Sequence, residues 1–201
     1  MVSVPNICPC KNWVLDGGWR RVAAAANLSA VERAFMAGFQ WAKTHYLDAS
    51  VLVKLVVDEG DCGPVRQFFK SNTNFCTTLL CLAEAIGVLK GKWSRNEITA
   101  DEYLVATRRL VIDAWGKRIE IDDVGFINPS VNSQVETMAR KHSLDVSDAL
   151  QLVTILNGRY SVLGPNSASV LITADAGLAA AASSEGVRVW NCRVGQGPQW
   201  V

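Results

Sequence analysis

The stretch Tyr46-Leu47-Asp48-Ala49-Ser50-Val51-Leu52-Val53-Lys54 places an acid and a hydroxyl inside an otherwise apolar run. Its first two residues favour a strand, and the run that continues to Val57 is apolar enough to be buried on most sides. A buried carboxylate costs free energy unless it is paired or coordinated. Asp48 or Ser50 therefore either caps the following helix, as both residue types commonly do, or belongs to a site built around Asp48.

The length of 201 residues suits one domain with an appendage. We expect a domain over residues 45–191 and a C-terminal tail over 192–201. Residues 1–44 form a loosely structured N-terminal extension in this interpretation, with one candidate amphipathic helix over 29–43. A natural translation start at Met36 is a second interpretation of this extension, which would then be partly non-native.

Charge gives no strong bias toward a polyanionic partner. Lys and Arg number 20 against 19 Asp and Glu. Residues 1–44 hold five basic and two acidic residues, which leaves 15 basic and 17 acidic residues for 45–201. A nucleic-acid partner would therefore need a local basic rim, or cations bound to the acids.

The cysteines indicate a reducing, cytoplasmic compartment. Their positions, 8, 10, 62, 76, 81 and 192, match neither a secreted disulfide framework nor a paired zinc motif. The sequence contains no apolar run of membrane-spanning length and no cleavable signal, so we expect no membrane insertion and no export.

Strand-like and helix-like segments alternate along the chain. Such alternation predicts an α/β protein with three layers, α/β/α, and a mostly parallel sheet of four to five strands. In the helix predicted over 98–116, the apolar stripe contains Tyr103, Leu104, Leu110 and Val111. The predicted strands are 46–47, 74–78, 119–121, 170–173 and 187–190, and the other predicted helices are 65–70, 79–89, 130–142, one from 145 onward, and 176–184. A connection over 157–169 is long for a compact domain.

Four acids are predicted to meet at the carboxyl edge of this sheet, where parallel α/β proteins bind ligands. Asp48 follows the first strand and Asp175 the fourth, Glu84 is the one charge in the apolar helix over 79–89, and Asp148 lies in a first helical turn. Each acid also has a capping or solvated-surface explanation. Two carboxylates about 5 Å apart repel by roughly 3 kcal/mol. A divalent cation removes that cost, and oxygen ligands favour Mg²⁺ or Mn²⁺, as in phosphodiester hydrolysis.

These residues carry a family resemblance. The order Leu47-Asp48-x-Ser50-x-x-x-Lys54, Ala83-Glu84, Ser147-Asp148-Ala149-Leu150 and Thr173-Ala174-Asp175-x-x-Leu178-Ala179 resembles PIN domains, in particular VapC-type toxin ribonucleases, over about residues 45–191. The resemblance implies a PIN-like fold and a Mg²⁺- or Mn²⁺-dependent endoribonuclease. By position, its catalytic and metal-binding acids would be Asp48, Glu84, Asp148 and Asp175, with Ser50 and Thr173 as supports. Asp145 is either a helix cap or a fifth acid.

The same resemblance implies an RNA substrate, a homodimer and a small antitoxin protein. We expect substrate contacts from Lys54, Lys90, Lys92 and Arg95, and base stacking on Trp93, although solvated helix ends explain these residues equally well. A non-catalytic interaction module on the same fold and a free-standing PIN nuclease in RNA processing are alternatives. A phosphatase or response regulator fits less well, because no D-x-D pair follows the first strand.

Overall fold

The computed structural model describes residues 44–161, 169–194 and 197. The expectations for the N-terminal extension, the candidate helix over 29–43 and the start at Met36 lie outside the described residues. The same holds for 162–168 in the long connection and for most of the C-terminal tail.

Five strands alternate with seven helices in the described part of the chain. The strands are β1 (His45–Leu47), β2 (Phe75–Thr77), β3 (Ile119–Ile121), β4 (Val170–Thr173) and β5 (Arg188–Asn191). The helices are α1 (Ala49–Val56), α2 (Gly63–Ser71), α3 (Leu79–Ser94), α4 (Ala100–Trp115), α5 (Pro129–His142), α6 (Val146–Asn157) and α7 (Ala176–Ser184).

The five strands form one parallel sheet in the order β3-β2-β1-β4-β5. Tyr46 in the central strand is in register with Cys76 of β2 and Leu171 of β4. Parallel neighbours need crossover connections, which the helices supply. The predicted α/β class and parallel sheet are confirmed.

The helices cover both faces of the sheet because side chains alternate along each strand. Leu47, Phe75 and Ile172 pack into a core shared with α1, α2, α3 and α4. Tyr46, Cys76 and Leu171 pack into a second core with α6 and α7, to which α5 contributes Met138. This arrangement is the predicted three-layer architecture.

Three helix boundaries differ from the predictions by two residues or more, each for a physical reason. Helix α2 begins at Gly63, because Pro64 occupies its first turn, where a missing N–H costs nothing. Helix α3 continues past Leu89 to Ser94, since no proline interrupts residues 90–94 and the one glycine there, Gly91, weakens a helix without ending it. Helix α4 begins after Thr99, whose side chain forms a capping box with Glu102.

None of the described helices combines the length and apolar character that crossing a bilayer requires. The four cysteines within the described residues, Cys62, Cys76, Cys81 and Cys192, are free and buried.

Candidate functional site

A cleft is expected where the strand order reverses, between β1 and β4. Strand β1 leads into α1 on one face of the sheet, whereas its neighbour β4 leads into α7 on the other. Asp48 directly follows β1, and Asp175 lies just beyond β4. The predicted acids that follow these two strands therefore lie on the two sides of the expected cleft, at the same edge of the sheet.

Asp48 is almost completely buried, with only 4% of its surface exposed, and both of its carboxylate oxygens accept hydrogen bonds. Its Oδ1 accepts from the backbone N–H of Ala49 at 2.6 Å, which caps α1. Its Oδ2 accepts from the hydroxyl of Ser50 at 2.5 Å and from that of Thr173 at 2.8 Å. Burial raises the pKa of Asp48, although these hydrogen bonds act in the opposite direction.

The hydroxyls of Ser50 and Thr173 are oriented by the turn between β4 and α7. Ser50 Oγ accepts from the N–H of Ala174, and Thr173 Oγ1 accepts from the N–H of Asp175, each at 2.9 Å. Each hydroxyl has one proton, which it donates to Asp48. Through these two hydroxyls, Asp48 is connected to the turn between β4 and α7 on the other side of the cleft. This connection is compatible with the supporting role expected for both residues.

Glu84 and Asp145 share one hydroxyl donor at the start of α6. Ser147 Oγ donates to Glu84 Oε2 across the interface of α3 and α6, and it also lies 2.9 Å from Asp145 Oδ1. Burial raises the pKa of Glu84, and the negative charges of Asp145 and Asp48 raise it further. Asp145 itself caps α6 by accepting from the N–H of Asp148 at 2.9 Å.

Asp148 is the acid most affected by the others. Its pKa rises to about 7, first because the carboxyl is half-buried and then because other acids face it. Those acids are, in order of influence, Asp48, Asp145, Asp175 and Glu84. The four predicted acids thus act on one another electrostatically, as expected for carboxylates gathered at one edge.

Asp175 is the most exposed of the four predicted acids. Its Oδ1 accepts from the N–H of Leu178 at 2.8 Å and caps α7. The cap occupies one carboxylate oxygen, and among the described residues no hydrogen bond to the other is observed. Asp175 can therefore cap α7 and still bind a cation. The same is true of Asp48, because its Oδ1 accepts one described hydrogen bond and has a second lone pair.

The donor atoms of this cleft fit Mg²⁺ or Mn²⁺ in type and charge. Carboxylate oxygens are the preferred ligands of both ions. Burial first and then the neighbouring acids raise the pKa of Asp148, and a cation would relieve the repulsion between those acids. Within the described residues, no group of three or more Asp, Glu, His or Cys side chains is placed so that it could hold a metal ion as the side chains stand. The residues that would supply ligands, once their side chains drew together around an ion, are Asp48, Glu84, Asp148 and Asp175.

Lys54 does not offer a free charge to a substrate. Only 5% of its surface is exposed, and its ammonium group pairs with Glu59 at 2.9 Å and with Asp61. These ion pairs tie α1 to the loop before α2. The expectation of a substrate contact from Lys54 is therefore replaced by a structural role.

The other predicted substrate contacts, at the end of α3, also have partners within the chain. Lys92 pairs with Glu59 at 2.9 Å and Glu97 at 3.3 Å, and Arg95 pairs with Glu97 at 2.5 Å. The ammonium of Lys90 lies 3.5 Å from the ring centroid of Trp93, which stacks on Tyr103 at 5.1 Å. Lys90 lies six residues beyond Glu84, or about 9 Å along the helix axis. Each of these four residues therefore has a partner within the chain.

Two contacts of the cleft were not predicted. Ser147 stood in the quoted motif without a role, yet it joins Glu84 to the start of α6. Gln151 donates to the backbone of Leu47, directly before Asp48. The sequence contains one signal for Gln151, because this polar residue interrupts the otherwise apolar run Ala149-Leu150-Gln151-Leu152-Val153.

No family model matches the chain, and no curated protein matches it. Among solved structures, the chain is similar to the crystal structure of PAE2754 from Pyrobaculum aerophilum. The two are 21% identical, and the match covers 74% of this chain and 92% of that chain with a TM-score of 0.49.

Proposed function

We propose that the protein is a Mg²⁺- or Mn²⁺-dependent endoribonuclease of the PIN type and the toxin of a type II toxin–antitoxin pair. The main support is that Asp48 and Asp175 follow neighbouring strands at the point where the strand order reverses, and that Thr173 of β4 donates to the carboxylate of Asp48. The charges of Asp48, Asp175 and Glu84 also raise the pKa of Asp148, after the larger effect of burial. Family resemblance in the motifs around these acids supplies the choice of RNA as substrate.

In this proposal the four acids hold the ion, and the neighbouring hydroxyls fix the acids. When bound, the ion would polarise a phosphoryl oxygen and lower the pKa of the attacking water. Ser50 and Thr173 hold the carboxylate of Asp48, and Ser147 holds that of Glu84. These contacts reduce the reorganisation that binding a cation requires.

Cleavage of RNA by the purified full chain tests this proposal. We expect cleavage with Mg²⁺ or Mn²⁺, none with EDTA, and none by the variant Asp48→Asn. The matched control is Glu136→Gln, which neutralises an exposed acid on α5 and should leave cleavage unchanged. Circular dichroism verifies that both variants fold. Metal-independent cleavage, or full activity of Asp48→Asn, would contradict the proposal.

A protein-interaction module is the second candidate, and a specific surface supports it. Helix α4 exposes five large apolar side chains along one face: Leu104, Val105, Val111, Ile112 and Trp115. Exposed apolar patches of this kind mark protein contacts. Titration with Mn²⁺ separates the candidates, because a module without a metal site would show no Mn²⁺-dependent rise in its melting temperature.

The toxin proposal includes two protein contacts. The apolar face of α4 is assigned to a second copy of the chain, as in the homodimers that the family resemblance implies. The antitoxin is assigned to the acidic cleft formed by Asp48, Glu84, Asp148 and Asp175, which a tail segment carrying an Arg would complement in charge. A cytoplasmic location, consistent with the free thiols, completes the proposal.

A further inference from the structure

Gln151 is a buried polar side chain whose presence packing alone does not explain. It lies on α6, almost one turn after Asp148, and is fully buried. Its Nε2 donates to the carbonyl oxygen of Leu47 at 3.0 Å. Its Oε1 is buried, and nothing in the described part of the chain donates to it. An apolar side chain of the same length would avoid the cost of burying that oxygen, although it would lose the hydrogen bond to Leu47, so stability alone does not account for the amide.

The group that Gln151 contacts belongs to the peptide bond that leads into Asp48. Leu47 is the last residue of β1, and its carbonyl oxygen also accepts from Thr77 Oγ1 at 2.8 Å. The N–H of the same peptide, that of Asp48, donates to Ile172 of β4 at 3.1 Å. The peptide is therefore held from β2 and α6 on its oxygen side and from β4 on its nitrogen side.

We propose that Gln151 is a positioning residue for Asp48. By fixing the plane of the Leu47–Asp48 peptide, it sets the direction in which the Cα–Cβ bond of Asp48 leaves the backbone. Ser50 and Thr173 then fix the carboxylate. Thr77 shares the task as the second donor to the Leu47 oxygen. The inference rests on the proposed function, since Asp48 would be a ligand of the divalent cation. Removing a group that orients a metal ligand typically lowers metal affinity about 10- to 100-fold.

Calorimetric titration of the full chain with MnCl₂, together with thermal unfolding in EDTA, tests the inference. In Gln151→Met, which keeps the side-chain length but removes both polar atoms, we expect the Mn²⁺ dissociation constant to rise about tenfold or more. The melting temperature in EDTA should stay the same or rise, because the buried unpaired oxygen is gone. Loss of affinity without loss of stability is a result that a merely structural residue would not give.

Matched variants give the controls. Thr154, also on α6, is fully buried, and no described residue pairs with its hydroxyl. Thr154→Val should therefore leave Mn²⁺ affinity unchanged. Thr77→Val should weaken it, and Thr77→Ser, which keeps the donor, should retain it.

Three results would overturn the inference. If Gln151→Met lowers the melting temperature but binds Mn²⁺ as the wild type does, Gln151 is structural, and the proposed function still stands. If Gln151→Met does not fold, Thr77→Val decides, and wild-type affinity in that variant would reject the inference. If the wild type itself takes up no Mn²⁺, the proposed function fails and the inference with it.

Discussion

Asp148 is the residue where burial and repulsion combine most strongly. Its carboxyl has a pKa of about 7 in the folded protein, against about 3.9 in an unfolded chain. The folded state therefore binds this proton more tightly than the unfolded state does. The resulting stability is fully present below about pH 4 and is lost as the pH rises through about 7.

We predict that Asp148→Asn stabilises the metal-free protein near neutral pH. The variant lacks the carboxylate that Asp48, Asp145, Asp175 and Glu84 repel. Because the group is only half-buried, solvent screening limits the gain to about 1 to 2 kcal/mol. Urea unfolding in EDTA at pH 4 and pH 7.5 measures it. The difference between variant and wild type should appear at pH 7.5 and shrink at pH 4, and equal differences at both pH values would contradict this assignment.

Residue chemistry explains which parts of the site could be predicted from the sequence. Asp48 and Asp175 follow strands whose apolar character is visible locally, so their place at the carboxyl edge could be inferred. Lys54 was assigned to the substrate because its charge is visible while its partners, Glu59 and Asp61, depend on the path of the following loop. Partner choice of this kind is a tertiary property that local sequence does not contain.

At the scale of elements, the end of α6 depends on a glycine that leaves no room for a side chain. A Cβ at Gly158 would lie 2.5 Å from the carbonyl oxygen of Thr154 and 2.6 Å from Oδ2 of Asp122. That Oδ2 also accepts from the hydroxyl of Tyr46 at 2.6 Å and from the N–H of Arg159 at 3.2 Å. The glycine therefore allows α6 to end against a buried acid that follows β3.

We predict that Gly158→Ala lowers the free energy of unfolding by about 1 to 3 kcal/mol, since the backbone or Asp122 must shift. The matched control is Gly87→Ala, inside α3, where an added Cβ meets no atom within 4 Å. That change should stabilise the protein by about 0.5 to 1 kcal/mol. Urea unfolding measures both. Opposite signs are expected, and a neutral Gly158→Ala would contradict the close approach.

The helices and strands themselves were largely predictable, because their hydrophobic periods are local. Gly158 could be recognised from the sequence only as a chain break, since the acid that it contacts, Asp122, lies far away in the chain. Helix α4 shows the same limit. Its predicted apolar stripe mixed Tyr103 and Leu110, which contact the core, with Leu104 and Val111, which are exposed. The helix has two apolar faces, and periodicity does not say which one the core takes.

At the scale of the whole molecule, net charge gives little attraction for partners. The 20 basic and 19 acidic residues nearly cancel, so long-range steering is weak. Several cations that could have formed a basic rim pair instead with acids of the same chain. Under the proposed function, recognition would therefore depend more on the apolar face of α4 and on the acidic cleft than on overall charge.

The exposed face of α4 leads to the prediction that the protein self-associates. Its apolar side chains are 48 to 89% exposed and recur along one side of the helix. In a dimer with a two-fold axis, this face of one subunit would pack against the same face of the other, so the same residues would be buried on both subunits.

The double variant Ile112→Glu, Trp115→Ser should therefore convert a dimer to a monomer in sedimentation equilibrium. The control Ile127→Glu changes a residue that is 95% exposed outside α4 and should leave the mass unchanged. A monomeric wild type, or a double variant that remains dimeric, would reject α4 as the dimer interface and leave its apolar face for a different protein.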